Sequence, residues 1–334
     1  MADLTAPASW IAAQARHLLA QQGHAWLLHG PSGLGQYRLA LELARAWLCD
    51  RPGAAGACGD CPSCHAIDVR GHTDLCLLMP ETIMLELGWP LAEKAQADID
   101  EKKRKPSKEI RVEALRDAVE FAQRTSGRGQ GKVVLVYPAE RMNAIAANAL
   151  LKTLEEPAGD LRFVLASEAA HQLLPTIRSR CLGHTMIWPD PVEATAWLQQ
   201  QGVKPTEVAA LLRAAGGRPD DALAYSQAGL DTRAWSQLPK ALARGEGGLL
   251  ADGSPGQAVD ALSKLCHDLL AVKTGAAPRF FASADLPPPG SFAALTEWSR
   301  ELVRTARTVE HPFNAGLMLE NLVSRARMAL NSRP

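Results

Sequence analysis

The sequence predicts an α/β fold: a parallel sheet whose first strand runs through a glycine loop into a helix, followed by a wholly helical remainder. Three observations carry this. Ala25 to Leu28 is an apolar run closed by His29-Gly30-Pro31-Ser32-Gly33-Leu34-Gly35-Gln36-Tyr37, after which Leu39, Leu43 and Trp47 recur at helical spacing. Lys132 to Val136 and Leu161 to Ala166 are short, continuous apolar runs of the kind a parallel sheet buries on both faces. Beyond Trp188-Pro189-Asp190-Pro191 the apolar residues keep helical spacing.

Bulk composition narrows the class. A chain of 334 residues allows two or three domains and a real core. Its 36 Lys+Arg balance 36 Asp+Glu, so no chain-wide field selects nucleic acid. No apolar run approaches the roughly 20 residues a bilayer span needs, and Met1 to Thr5 lacks the layout of a secretion signal. The expectation is a soluble, cytoplasmic protein with no membrane contact. Seven cysteines in such a chain point to metal or free thiols before a disulfide framework.

In order along the chain, Trp10, Ile11, Ala15, Leu18 and Leu19 mark a first helix, stopped by Gln21-Gln22-Gly23. His24 and His29 flank the first strand without a nucleophile or carboxylate partner and read as structural. The glycine loop itself has the spacing of a phosphate-binding GxxxxGK[ST] loop, with Gly30, Gly33 and Gly35 in place. In a working loop, backbone N–H groups cradle phosphate, the Lys reaches the outer phosphates and the hydroxyl holds magnesium. Here Gln36 stands at the Lys position and Tyr37 at the hydroxyl position. The cradle survives without its charge or metal ligand, which argues against ATP hydrolysis.

Cys49 ends the second helix, and Cys58, Cys61 and Cys64 follow in a Cys-Gly-Asp-Cys-Pro-Ser-Cys stretch. Four thiolates at this spacing can surround one tetrahedral zinc, three from a tight loop and one from a helix end. A filled sulfur shell leaves no open position, so the metal is expected to be structural. His65 and His72 are alternative ligands ranked below Cys49, and Cys76 reads as a buried strand residue.

Pro80 to Lys105 is charged and weakly patterned, and reads as a solvated insertion; nucleic-acid contact through Lys102-Lys103-Arg104-Lys105 is the alternative. Val112, Leu115, Val119 and Ala122 mark another helix. An ATPase of this layout needs an acidic pair after the strand Lys132 to Val136, yet Tyr137-Pro138 stands there, with Glu140 the nearest acid. Leu150, Leu151 and Leu154 give the helix Asn143 to Glu156 its apolar face, and Pro157 stops it.

Gly30 to Gly35, the four cysteines, Ala147-Asn148-Ala149-Leu150-Leu151-Lys152-Thr153-Leu154-Glu155-Glu156-Pro157 and Thr176-Ile177-Arg178-Ser179-Arg180-Cys181 together resemble the delta-prime family of bacterial DNA polymerase III clamp-loader subunits, within the AAA+ class. The resemblance implies an AAA+ parallel-sheet P-loop domain with a zinc-binding insertion at 1–188, a small helical lid domain at 189–229 and an all-α collar domain at 230–334. It implies a non-hydrolysing member of a five-subunit ring that places the sliding clamp on primed DNA, with gamma/tau and delta subunits as partners. Arg180 is then expected to act as an arginine finger in the neighbouring ATP site, with Arg178 as its decoy, and Ser167 to stand where AAA+ proteins place a polar sensor. Arg218 lies early for the second sensor arginine of a lid, with Asp220 near its place. Two further readings compete: a divergent AAA+ ATPase that binds and hydrolyses ATP itself, and a free-standing zinc-dependent nucleic-acid binder.

Overall fold

A computed structural model describes residues 7–332, apart from 252, 310, 312 and 313 and the side chains of 144, 146 and 249. Met1 to Thr5, where a secretion signal was sought, lie outside the described residues. The chain forms two compact units, Met1–Glu193 and Ala194–Pro334.

The first unit holds five strands: β1 (Ala25–His29), β2 (Leu75–Leu78), β3 (Lys132–Val136), β4 (Leu161–Ser167) and β5 (Leu182–Thr185). They form one sheet in the order β2-β3-β4-β1-β5, with every pairing parallel. Ala25 faces Phe163 and His29 faces Ser167; β4 is the central strand, flanked by β3 and β1.

Its helices are α1 (Ser9–Leu19), α2 (Gln36–Leu48), α3 (Pro62–Asp68), α4 (Glu81–Glu86), α5 (Glu93–Asp100), α6 (Val112–Gln123), α7 (Ala144–Glu155) and α8 (Pro175–Arg178). One sheet face, carrying Leu27, Val134, Val136, Phe163 and Leu165, is covered by Leu115, Ala118 and Ala122 of α6 and by Ala147, Leu150 and Leu154 of α7. Alternate strand residues point the other way, toward α2, which packs on β1, β3 and β4. Lys132 opens β3 and is buried; its Nζ donates to the carbonyls of Phe121 at 3.0 Å and Ala122 at 2.6 Å, and to that of Arg124, closing the end of α6.

The segment read as a solvated insertion is folded, a correction with a clear cause. Glu81, at the start of α4, is buried and gathers Arg104 Nη1 at 2.5 Å, Arg104 Nη2 at 2.8 Å and the Ser107 N–H at 2.8 Å, with Arg111 Nε at 3.6 Å. The charges that suggested solvent compensate one another, and Trp89 between α4 and α5 is buried. Cys76 is half-buried rather than buried, because β2 is an edge strand, though burial still pushes its thiol up to about 12.

The second unit is helical, as its spacing predicts. α9 (Pro191–Gln200), α10 (Pro205–Ala214) and α11 (Pro219–Gln227) precede α12 (Thr232–Arg244), α13 (Pro255–Lys273), α14 (Phe292–Thr308) and α15 (Ala315–Leu330); α9 crosses from the first unit. Leu262, Leu265 and Leu269 of α13 meet Leu242, Leu295, Trp298 and Ala326 in one core. The fully buried Asp268 accepts the N–H groups of Arg279, Phe280 and Phe281 at 2.7 to 2.8 Å, fixing the stretch after α13.

Candidate functional site: a filled phosphate loop and a four-cysteine cluster

The glycine loop folds as its spacing requires. Gly33 and Gly35 take φ values of 75° and 91°, open to glycine at no steric cost, and Gly35 caps α2. The Gly30 N–H donates to the Ser167 carbonyl at 3.3 Å, joining the loop to the end of β4.

Gln36 is only 2% exposed, and its Nε2 donates to the carbonyls of Gly30 at 3.1 Å and Pro31 at 2.6 Å. The residue at the lysine position therefore bonds the loop to itself. Tyr37 is buried too; its hydroxyl accepts the Trp89 indole N–H at 2.6 Å, and its ring lies 5.4 Å from that of Tyr137. Tyr137 donates to Glu168 Oε1 at 2.9 Å, and the Glu168 N–H donates to Glu140 Oε1 at 3.0 Å. Glu140, the first acid after β3 in sequence, thus gives one carboxylate oxygen to a backbone amide, while its buried Oε2 meets no hydrogen-bond partner. Ser167 turns its Oγ to the N–H of Ala169 at 3.3 Å rather than outward.

Trp89 is the functional residue that sequence reasoning missed. A lone tryptophan in a charged stretch was the available signal. Arg70 stacks 5.4 Å over its ring, so the indole is held from two sides.

The four cysteines converge. Cys49 caps the end of α2, Cys61 caps the start of α3, and Cys64 lies within α3, so the third closely spaced thiol comes from a helix rather than from the tight loop expected. Their sulfur atoms all lie within 4.8 Å of one another, with Cys49–Cys58 at 3.4 Å, Cys49–Cys61 at 3.8 Å and Cys58–Cys64 at 4.0 Å. Tetrahedral ligands 2.3 Å from zinc are separated by about 3.8 Å. The donor set and spacing fit that ion, and three of the four thiols are buried while Cys58 faces solvent.

The surroundings divide the thiols: burial pushes Cys64 up to about 12 and the Asp60 carboxylate raises Cys58, while Cys61 is favoured as thiolate. Burial opposes ionisation of Cys61, but the N–H groups of Cys64 and Asp50 outweigh it and bring the thiol down to about 7. The N–H groups of Arg51 and Cys58 point at the Cys49 sulfur, at 3.4 and 3.3 Å. Asp50 fixes α3 by accepting the Ser63 hydroxyl at 2.6 Å and N–H at 3.2 Å. His65 is exposed, and His72 turns Nδ1 to the Asp74 N–H at 3.1 Å; neither joins the sulfur cluster.

Arg180 follows α8. Its Nε donates to Glu155 Oε1 at 2.5 Å, and Nη1 to the Thr176 carbonyl at 2.8 Å. Arg178 is exposed nearby. In the second unit, Arg218 pairs with Asp221 at 2.9 Å and with the Ala215 carbonyl at 2.8 Å, so it serves its own helix.

A five-stranded parallel sheet with a glycine loop after β1, a cysteine module on α2 and helices beyond defines an AAA+-type module. A solved gamma-subunit-related protein of DNA polymerase III from Thermotoga maritima shares this fold, with a TM-score of 0.50 and 17% identity over 97% of this chain and 100% of that one. Residues 13–186 match the family described as DNA polymerase III, delta subunit, and the chain belongs to that family. Similar curated relatives are delta-prime subunits of DNA polymerase III: 41% identical over 204 residues in Pseudomonas aeruginosa and 34% over 221 in Escherichia coli K12. These alignments cover 60% and 66% of this chain and 55% and 59% of the relatives, so the chain matches little over half of their length. The Escherichia coli tau subunit is 32% identical over 159 residues, covering 48% of this chain and 21% of tau.

Proposed function

We propose that this chain is a non-hydrolysing delta-prime subunit of a bacterial DNA polymerase III clamp loader, which helps place the sliding clamp on primed DNA. One observation carries the reading: Gln36 at the lysine position is bonded to the loop's own carbonyls, and Tyr37 at the hydroxyl position to Trp89. Neither supplies the cation or metal ligand that phosphoryl transfer needs. The chain would contribute instead as a fixed member of a ring with gamma/tau and delta subunits, its 189–229 segment acting as lid and its 230–334 segment as collar.

Arg180 is the residue assigned to catalysis, in trans. A guanidinium keeps its charge and offers a planar fork to phosphate oxygens, so a chain without an active site can complete a neighbour's. Cys49, Cys58, Cys61 and Cys64 would hold a structural zinc, which supplies a fixed cross-link between α2 and α3. Among the described residues no helix is long and apolar enough to cross a membrane.

The test is nucleotide turnover by the isolated chain. No saturable, magnesium-dependent ATP hydrolysis is expected. Hydrolysis that a Gln36 substitution abolishes would establish the divergent-ATPase reading in its place.

A further inference from the structure

Arg180 is held by its own chain, and the manner of holding is informative. A guanidinium carries five N–H donors in one plane. Glu155 Oε1 takes Nε–H at 2.5 Å and pairs with Nη2, while the Thr176 carbonyl takes one Nη1–H at 2.8 Å. Ser179 Oγ stands 3.5 Å from Nη1, at the outer limit of hydrogen bonding, and itself donates to the Thr176 carbonyl at 3.2 Å. By count, one strong donor site remains on each terminal nitrogen. The side chain is 31% exposed, so these donors can be reached.

We propose that Glu155 is a positioning residue for Arg180: it locks the plane of the guanidinium along the Nε edge and leaves one donor on each terminal nitrogen for a phosphate oxyanion presented by another chain. The inference rests on the reading of Arg180 as a trans-acting finger. A free arginine carries about 2 kcal/mol of rotamer entropy, and ordering it before contact removes part of that cost from the encounter. Glu155 ends α7, where the helix dipole disfavours an anion. Its carboxylate is a poor choice for capping alone and a good one for aiming a cation.

The experiment reconstitutes the full chain with the ATP-hydrolysing subunits of its own clamp loader and measures ATPase kcat and KM with clamp and primed DNA. Arg180→Ala is expected to lower kcat by about a thousandfold or more. Glu155→Ala is expected to lower it about tenfold through misplacement, with KM unchanged. Glu155→Gln, whose carbonyl still accepts from Nε, restores most of the loss. The double variant should be no slower than Arg180→Ala alone. Wild-type kcat in Glu155→Ala, with Arg180→Ala slow, overturns the positioning role and leaves the finger standing. Losses that multiply in the double variant overturn it too, because Glu155 would then act through something else. Wild-type turnover in Arg180→Ala removes the finger itself and this inference with it. If Glu155→Ala does not assemble, Glu155→Asp keeps the charge and withdraws the oxygen by one methylene; the same kcat loss is expected, and wild-type kcat again overturns the role.

Discussion

The Trp89 indole donates to the Tyr37 hydroxyl at 2.6 Å and joins the segment between β2 and α6 to the first turn of α2. The tyrosine that replaces a metal-binding hydroxyl has been given a partner of its own, and its ring lies against Tyr137, which replaces the acidic strand end. The loop is thus a small core of this chain, and giving it the side chains of an ATP-hydrolysing loop means dismantling that core.

Replacement of Gln36 by Lys together with Tyr37 by Thr should not restore hydrolysis. The double variant loses two amide contacts to the loop, strands the Trp89 N–H and leaves Tyr137-Pro138 where the acids belong. A stability loss of roughly 2–4 kcal/mol is expected from the cavity and the unpaired donor. Phosphate release and urea unfolding check both halves, and turnover like that of an intact ATPase would contradict the account.

Trp89 itself can be divided into ring and N–H. Trp89→Phe keeps most of the volume and should cost about 1 kcal/mol, while Trp89→Ala should cost about 3–5 kcal/mol. The difference in denaturation midpoints measures packing against hydrogen bonding, and equal costs would show that the ring contributes little.

Glu81 gives the folded segment an acid-sensitive hold. Burial works against its charge, but the Arg104 fork, the Ser107 N–H and Arg111 outweigh burial and keep the carboxyl below its usual range. A carboxylate depressed on folding adds stability that is present above the unfolded value, near 4.3, and is lost as pH falls through the folded one. Glu81→Gln should therefore be less stable than wild type at pH 7, with the gap closing as pH falls below about 4. Amide exchange in 80–111 reads this locally, and a gap constant with pH would show that the charge is not what holds the segment.

How much of this was legible depended on range along the chain. β1, β3, β4 and α7 are marked by continuous or helically spaced apolar residues, a local signal. β5 is marked by nothing of the kind: Leu182-Gly183-His184-Thr185 pairs on one side only and is largely exposed. The Glu81–Arg104 pair joins residues 23 apart, so its charges read as solvated until the fold brings them together. The cysteine spacing carried its own chemistry, and Gln36 and Tyr37 stood out against the loop pattern. Their partners Gly30, Pro31 and Trp89 did not, because a missing function is written in one residue and its replacement in several. Arg180 was named from its motif, whereas Glu155 lies 25 residues away and carries no local sign of the pairing.

Lys132 tests a buried cation held by backbone carbonyls. Its ammonium is satisfied by carbonyls at the end of α6, a favourable place for positive charge. Lys132→Met keeps the stem and removes the donors, leaving those carbonyls unmet at an expected cost of about 2–3 kcal/mol. Urea midpoints measure it, and a neutral result would mean that water replaces the ammonium.

The cysteine cluster predicts one zinc per chain by elemental analysis, retained through gel filtration. Because the sulfur atoms bridge the end of α2 and the start of α3, the metal would hold α3 against α2, while α2 keeps its own packing on β3 and β4. Chelation should therefore loosen residues 49–72 and lower the melting temperature by several degrees, without unfolding the sheet. Cys61→Ser and Cys64→Ser remove buried ligands and should abolish zinc retention. Cys58→Ser removes the one solvent-facing ligand and should leave a weaker site, with metal lost more rapidly to chelator. Exchange protection across β1 and β4 that collapses with the metal would show instead that zinc supports the whole unit.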